Sequence, residues 1–356
     1  MVKYLVQNKI LFNRLFNLGL TEKTFTSVSE VVKSLGVVQC QDYNAGKWAI
    51  GLRIKNSTEK KISDALQSEN IIRTHVLRPT WHFVHKDDIR WMLDLSTPQI
   101  KKNMSRQEGY RDLKEETFRN SRNLLISTLD GGVQMKREEI KELLLQSKTI
   151  PDVRYLGLVL MDAEIHQVIC NGTDMKNQVT YRLFDEKIPD HKTLNRTESV
   201  EKLVGRYFTS HGPATLQDFA RWSGLSITEI KKGINDLQER GEIDLKETND
   251  YWYNKDLVER ELENCNYLLP RYDEYLICYK DNKEIIKVYN NKLAEDLNYN
   301  AIIEKGRIIG KWTRNISKKE VTIKYEYFKK PTKKQEFEIN EKSKVYAKFI
   351  EKTLIQ

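Results

Sequence analysis

The sequence predicts an α+β fold: three helical units in series, each closed by a short β-hairpin, followed by a small β-barrel. Three observations predict it. Residues 200–253 run helix, turn, helix, turn, helix, hairpin. Two units of helices with strand-like residues precede it, and the three resemble a structural repeat without a sequence repeat of fixed period. From Tyr267 the composition shifts to short β-rich stretches divided by turn signals.

The first unit spans 1–112. Ile10, Leu11, Leu15, Phe16 and Leu18 recur at helical spacing, and Gly19 stops the helix. Thr26 or Ser27 caps a second helix, Val28–Leu35, which Gly36 ends. Val37–Gln41 reads as extended, and Trp48–Ile54 alternates weakly. Ser63–Asn70 suggests a short helix. Ile71–Leu77 and Thr80–Val84 read as strands broken at Arg78-Pro79, with Asp87–Leu95 helical after them.

The second unit spans 113–196. Leu124, Leu125, Ile126 and Leu129 form one helical face, ended by Gly131-Gly132. Lys136–Gln146 and the apolar Leu156–Cys170 give two more helices. Val179–Phe184 alternates like a strand, and Pro189–Arg196 is a polar linker. The third unit, 197–258, is the clearest. It holds a helix Val200–Ser210, a turn His211–Ala214 and a helix capped by Thr215. A turn at Gly224, a helix Thr228–Leu237 and the strands Gly241–Leu245 and Tyr251–Tyr253 complete it. That order is a winged helix-turn-helix, so the three units are predicted to be winged helices. In 259–356, Tyr267–Pro270, Tyr275–Tyr279, Ile302-Ile303, Arg307–Trp312, Val321–Phe328 and Gln335–Ile339 read as strands. Ser343–Leu354 reads as a terminal helix.

The chain is basic, with 60 Lys+Arg against 51 Asp+Glu. Between Lys311 and Lys352 stand 13 cations and 6 anions, a net +7 out of the +9 of the whole chain. A positive field attracts phosphate backbones; a solvated lysine face is the alternative reading of that stretch. The four cysteines form no CxxC pair and no signal peptide precedes them, which points to reduced thiols in a cytoplasmic protein. No window approaches 18 apolar residues, so no membrane span is expected.

The best candidate for chemistry is Gln39-Cys40-Gln41. In extended backbone, side chains alternate, so Gln39 and Gln41 share one face and Cys40 takes the other. Two neutral amides, each donor and acceptor, can hold a water beside an electron-poor carbon. Asp42 then falls on the opposite face and reads as a helix or turn cap. Arg73 and Arg78 suit phosphate, because the guanidinium fork matches its oxygens. His75 and His82 have two readings: contact with a bound strand, or hairpin residues each making one backbone hydrogen bond. Tyr272–Tyr275 also has two readings, a functional cluster or a turn delivering a buried aromatic. Lys280 and Lys311 could track a nucleic-acid backbone nearby. His211 precedes Gly-Pro and reads as structural. No residues have metal-ligand spacing, and glycine-rich phosphate loops and serine nucleophile motifs are absent, so no metal and no cofactor is expected.

Taken together, these residues resemble the bacterial AlkZ-type winged-helix DNA glycosylases. The resemblance is carried by Val38-Gln39-Cys40-Gln41 with Asn44-Ala45, and by Arg73-Thr-His with Leu77-Arg78-Pro-Thr-Trp-His82. Further along it is carried by Tyr207, His211–Ala220 with Trp222–Leu225, and Leu268–Leu276 with Tyr279-Lys-Asp281. The pieces stand in order over residues 38–281. The resemblance implies tandem winged helices with a β-barrel, removal of alkylated bases, and a catalytic role for Gln39 and Gln41. A related branch carries aspartate at the second motif position. With Gln41 there, this chain sides with the branch associated with bulky lesions and crosslink unhooking.

The implied reaction suits two amides. Hydrolysis of an N-glycosidic bond passes through an oxocarbenium-like sugar. Alkylation at a purine N3 or N7 makes the base cationic and already a good leaving group. What remains is to place a water and stabilise spreading positive charge. The expectation is therefore a monofunctional DNA glycosylase for cationic alkylated purines and interstrand crosslinks, acting as a monomer on double-stranded DNA. The alternative is a non-enzymatic winged-helix regulator. Against it, Thr228–Leu237 offers only Lys231, Lys232 and Asn235 for base reading.

Overall fold

Local signals set most helix ends. Gly19, at φ +70°, follows the first helix, Val2–Asn17. Ser27 caps Val28–Leu35 by accepting from the Glu30 N–H, and Gly36 ends that helix at φ +82°. Thr215 and Ser226 cap Leu216–Ser223 and Ile227–Glu239 through reciprocal capping boxes with Asp218 and Glu229. The computed structural model describes residues 2–22, 25–68, 70–173, 178–189, 193–254, 256–280, 285–286 and 298–355, the side chains of 2–6 excepted. Asp281 and residues 190–192 of the expected linker lie outside the described residues.

The chain divides into two compact units, Met1–Ala65 with Glu201–Gln356, and Leu66–Val200. In the first, the two ends of the chain build one body. Its aromatic centre is Tyr207, Phe208, Phe219 and Trp222 around His211, with the Tyr207 and His211 rings stacked at 4.8 Å. A five-stranded sheet runs in the order Thr353–Ile355, Glu320–Tyr327, Arg307–Ile316, Ala301–Glu304, Tyr267–Leu269. Its neighbours are antiparallel except the first pair, which is parallel. The helix Lys333–Phe349 packs on it through Tyr346, which meets Trp312 and Trp48 edge-on at 5.1 Å each. The strands Leu245–Thr248 and Tyr251–Asn254 form a separate hairpin.

The second unit holds an antiparallel hairpin, Ile71–His75 with Trp81–His85, in which Thr74 opposes His82. A three-stranded sheet orders Met135–Lys136, Thr180–Leu183 and Ile169–Asn171. Four helices, Lys86–Met104, Glu115–Leu129, Arg137–Gln146 and Leu156–Ile165, accompany them. They contribute Leu125, Leu129, Ile140, Leu144 and Val159 to one buried cluster.

Several elements differ from expectation. Trp48–Ile54 belongs to a helix, Tyr43–Arg53, whose residues from Ala45 on are all buried; a helix buried all round shows no amphipathic period. The short helix expected at Ser63–Asn70 is Glu59–Leu66. Leu156–Cys170 is not one helix: it stops at Ile165, Gln167 turns at φ +57°, and Ile169–Asn171 is a strand. Tyr275–Tyr279 is not a strand, because Asp273 caps a helical turn, Glu274–Ile277. Gln335–Ile339 alternates like a strand yet starts the helix Lys333–Phe349, since Thr332 and Gln335 form a capping box and leave Phe337 66% exposed. That helix ends at Phe349, and Thr353–Ile355 pairs with the sheet.

Candidate active site

The glutamines sit on a corner of the first unit. The strand Val37–Gln39 stops at Gln39, two residues sooner than the expected extended run. Cys40 is fully buried, Gln39 is 8% exposed, and Gln41 is exposed in a bend. The premise of one continuous strand face thus holds only as far as Gln39. The chain bends because Asp42 takes up a helix cap: its Oδ1 accepts the Ala45 N–H at 3.1 Å and starts Tyr43–Arg53. The cap reading of Asp42 matches this geometry.

Three residues of one turn grip this corner. The buried Glu274 accepts the Gln39 backbone N–H on Oε1 at 3.0 Å. Its Oε2 accepts from Cys278 Sγ at 2.6 Å and from Trp222 Nε1 at 3.3 Å. Arg271 donates Nε and a terminal nitrogen to Asp42 Oδ2 at 3.0 and 2.8 Å. Asp273 forms a buried two-pronged pair with Arg53, at 2.8 and 3.0 Å. Burial pushes the Asp42 carboxyl up, but the Ala45 N–H, Arg271 and Arg314 outweigh it and hold it below the usual carboxylate range.

Asp42 also lines a cavity of about 460 Å³ whose walls carry Arg271, Lys311, Arg314 and Lys324 with Tyr299 and Tyr325. Lys311 stands over the Tyr299 ring at 4.7 Å, and Arg314 reaches over Trp312 and Tyr346. Four cations and two tyrosines suit a phosphate with a flat group beside it. Lys311 is the cation expected to track a backbone; Arg314 and Lys324 belong to the same basic stretch, 311–352, and sheet pairing, in which Arg314 opposes Ile323 and Lys324 opposes Thr313, puts them on adjacent rungs. Lys280 is exposed and lines a different cavity, of about 540 Å³, with Lys231 and Tyr251.

The other expected residues lie on the hairpin of the second unit. Arg73 is half-buried, with its guanidinium 4.2 Å from the Trp81 ring centre and its backbone N–H on Asn171 Oδ1 at 2.8 Å. His75 is buried, meets the Trp81 ring at a tilt with centroids 4.9 Å apart, and donates its backbone N–H to Glu164 at 3.1 Å; its Nδ1 is also bonded to that carboxylate. His82 is fully buried. Its Nδ1 lies 2.8 Å from the Thr80 carbonyl, which can only accept, so Nδ1 carries the proton and Nε2 accepts from Arg78 at 2.9 Å. The structure pairs Arg73 with His75 across Trp81 and Arg78 with His82; the His82 ring takes a backbone carbonyl, whereas the His75 ring takes the Glu164 carboxylate.

Among the described residues, His211, Glu274 and Cys278 form a buried group whose ligand atoms lie within 4.8 Å of one another, a juxtaposition that sequence spacing did not reveal. In the structure Glu274 joins Gln39, Cys278 and Trp222 instead, as a hydrogen-bonded node. No helix among the described residues is long and apolar enough to cross a membrane.

The chain is similar to known proteins in sequence and in fold. A family model described as "DNA glycosylase AlkZ-like" matches residues 32–349. A curated relative, the "Interstrand DNA cross-link repair glycosylase" of Streptomyces sahachiroi, is 21% identical over 313 residues, covering 82% of this chain and 84% of the relative. The solved structure of the Streptomyces sahachiroi DNA glycosylase AlkZ has a like fold, with a TM-score of 0.75 and 17% identity over 98% of each chain. The matched span takes in the glutamine corner, the second unit and nearly all of the final sheet, and the chain belongs to the AlkZ-like family of DNA glycosylases.

Proposed function

We propose that the chain is a monofunctional glycosylase that hydrolyses the N-glycosidic bond of cationic alkylated purines (N7 and N3 adducts) in double-stranded DNA. The relative's printed name extends the proposal to interstrand crosslinks. Gln41 orients the attacking water, and Gln39 steadies it or meets the deoxyribose. The observation that carries the reading is the exposed Gln41 beside Asp42, whose cavity is walled by Arg271, Lys311, Arg314 and Lys324. Cations on that wall suit the phosphates flanking a lesion, while two neutral amides leave the developing positive sugar without a repelling charge. A neutral, undamaged base leaves too slowly for such mild help, which accounts for selectivity.

The same proposal takes the helix-and-hairpin segments 1–112, 113–196 and 197–258 as winged helices and 259–356 as a half-barrel with its helix, acting as a monomer. Arg73, Arg78, Lys280 and Lys311 hold the backbone, with His75 and His82 setting the hairpin that carries the two arginines. The test is base release from a duplex containing 7-methylguanine and from one containing a nitrogen-mustard crosslink. Gln39→Ala with Gln41→Ala should abolish release; a double variant as active as the wild type sinks the assignment.

A further inference from the structure

We propose that the turn Arg271–Glu274 is a positioning clamp that fixes the glutamine corner from both sides. The inference rests on Gln39 and Gln41 being the water-holding pair. Residues 271, 273 and 274 each take one point of the segment 39–53: Glu274 holds Gln39 at the strand end, Arg271 holds Asp42 at the helix start, and Asp273 holds Arg53 at the helix end. The clamp is itself anchored. Glu274 is fixed by Cys278 and Trp222, and Asp273 by the Tyr275 N–H at 3.0 Å. The Arg271 backbone N–H donates to Asn300 Oδ1 at 3.0 Å.

Tyr272, between the gripping residues, sits at φ +66°, a left-handed conformation that is unfavourable for a non-glycine residue. Such a residue persists where its neighbours are over-determined, as Arg271 and Asp273 are here. Reacting groups work when held to within about 0.5 Å of the productive geometry, and a backbone N–H bond beside Gln39 with a capped, ion-paired residue beside Gln41 supplies that. None of the three gripping side chains needs to touch the reacting sugar, so they act through the glutamines.

Single-turnover base release from a 7-methylguanine duplex tests the clamp, with DNA affinity titrated separately. Glu274→Gln keeps size and an acceptor, and Asp42→Asn keeps a capping side chain. Each should lower the rate constant per active enzyme roughly 10- to 100-fold, and Glu274→Gln, buried and outside the lining of the cationic cavity, should leave Kd near wild type. Asp42→Asn should cause no further loss in a Gln41→Ala background, since both act through one group. Arg271→Lys should recover part of the rate that Arg271→Ala loses.

The clamp is overturned if folded variants keep the wild-type rate constant. It is also overturned if only the active fraction falls, or if the Asp42→Asn and Gln41→Ala losses add. Should Glu274→Gln fail to fold, the Asp42–Arg271 pair, 23% and 42% exposed, still decides the question. A fully active Gln39→Ala plus Gln41→Ala enzyme removes the underlying reading and the clamp with it. An inactive one beside unimpaired clamp variants removes the clamp alone.

Discussion

Replacing Asp273 with asparagine leaves the Arg53 guanidinium buried beside a neutral group. Arg53 is 1% exposed and Asp273 0%, so neither charge is shared with solvent. Burial pulls the Arg53 guanidinium down, yet the Asp273 carboxylate outweighs it and keeps Arg53 above its ordinary value. Removing one partner of a buried pair costs about 3–5 kcal/mol. Here Arg53 retains its bonds to the Leu18 and Ala49 carbonyls, at 2.8 and 2.7 Å, and the asparagine can still accept the Tyr275 N–H. The lower end applies, about 3 kcal/mol. With a urea dependence near ~3 kcal/mol/M, the midpoint should fall by about 1 M. Urea unfolding of the wild type and the variant, followed by tryptophan fluorescence, measures it. A shift below about 0.3 M would mean that the pair is not a desolvated one, and the reasoning fails.

The Asp42 carboxyl, held below its ordinary 3.8, stays ionised in the folded chain where the unfolded chain takes up a proton. Its stabilisation is therefore present above about pH 4 and lost as pH falls further, so the stability gap between wild type and Asp42→Asn should close between pH 5 and pH 2 in urea titrations. All four cysteines are buried, and burial pushes the Cys170 thiol up to about 12, so native protein at pH 8 should react with a thiol reagent far more slowly than unfolded protein. Lys311→Ala and Arg314→Ala should each reduce the slope of log affinity for DNA against log salt by about 0.9, measured by fluorescence anisotropy; an unchanged slope removes that wall from the DNA footprint.

Helix ends were legible because capping is local. Ser27, Gly36, Thr215 and Asp42 act within four residues of themselves, and all four sit where short-range chemistry puts them. Helices without a polar face were not legible: Tyr43–Arg53 is buried on every side, and its tryptophan and isoleucine suit a strand as well as a helix. The glutamine pair could be singled out from its spacing. Its surroundings could not, since Glu274 joins Gln39 across 235 residues and Arg271 joins Asp42 across 229. The acidic and aromatic run Tyr272–Tyr275 drew notice by composition, and only the three-dimensional pairing shows what Asp273 and Glu274 hold.

Because the first unit is stitched from both termini, the growing polypeptide emerges from the ribosome with its glutamine corner unfinished. The partners at 271–274 follow residue 65 by roughly 10–40 s at ordinary elongation speeds. During that interval Trp48 lacks the Leu268 carbonyl and the Tyr346 and Phe349 rings that it meets in the finished fold, while 66–200 has already been delivered whole. A nascent copy interrupted before the turn would carry the glutamines without the residues that hold Gln39 and Asp42 in the finished fold.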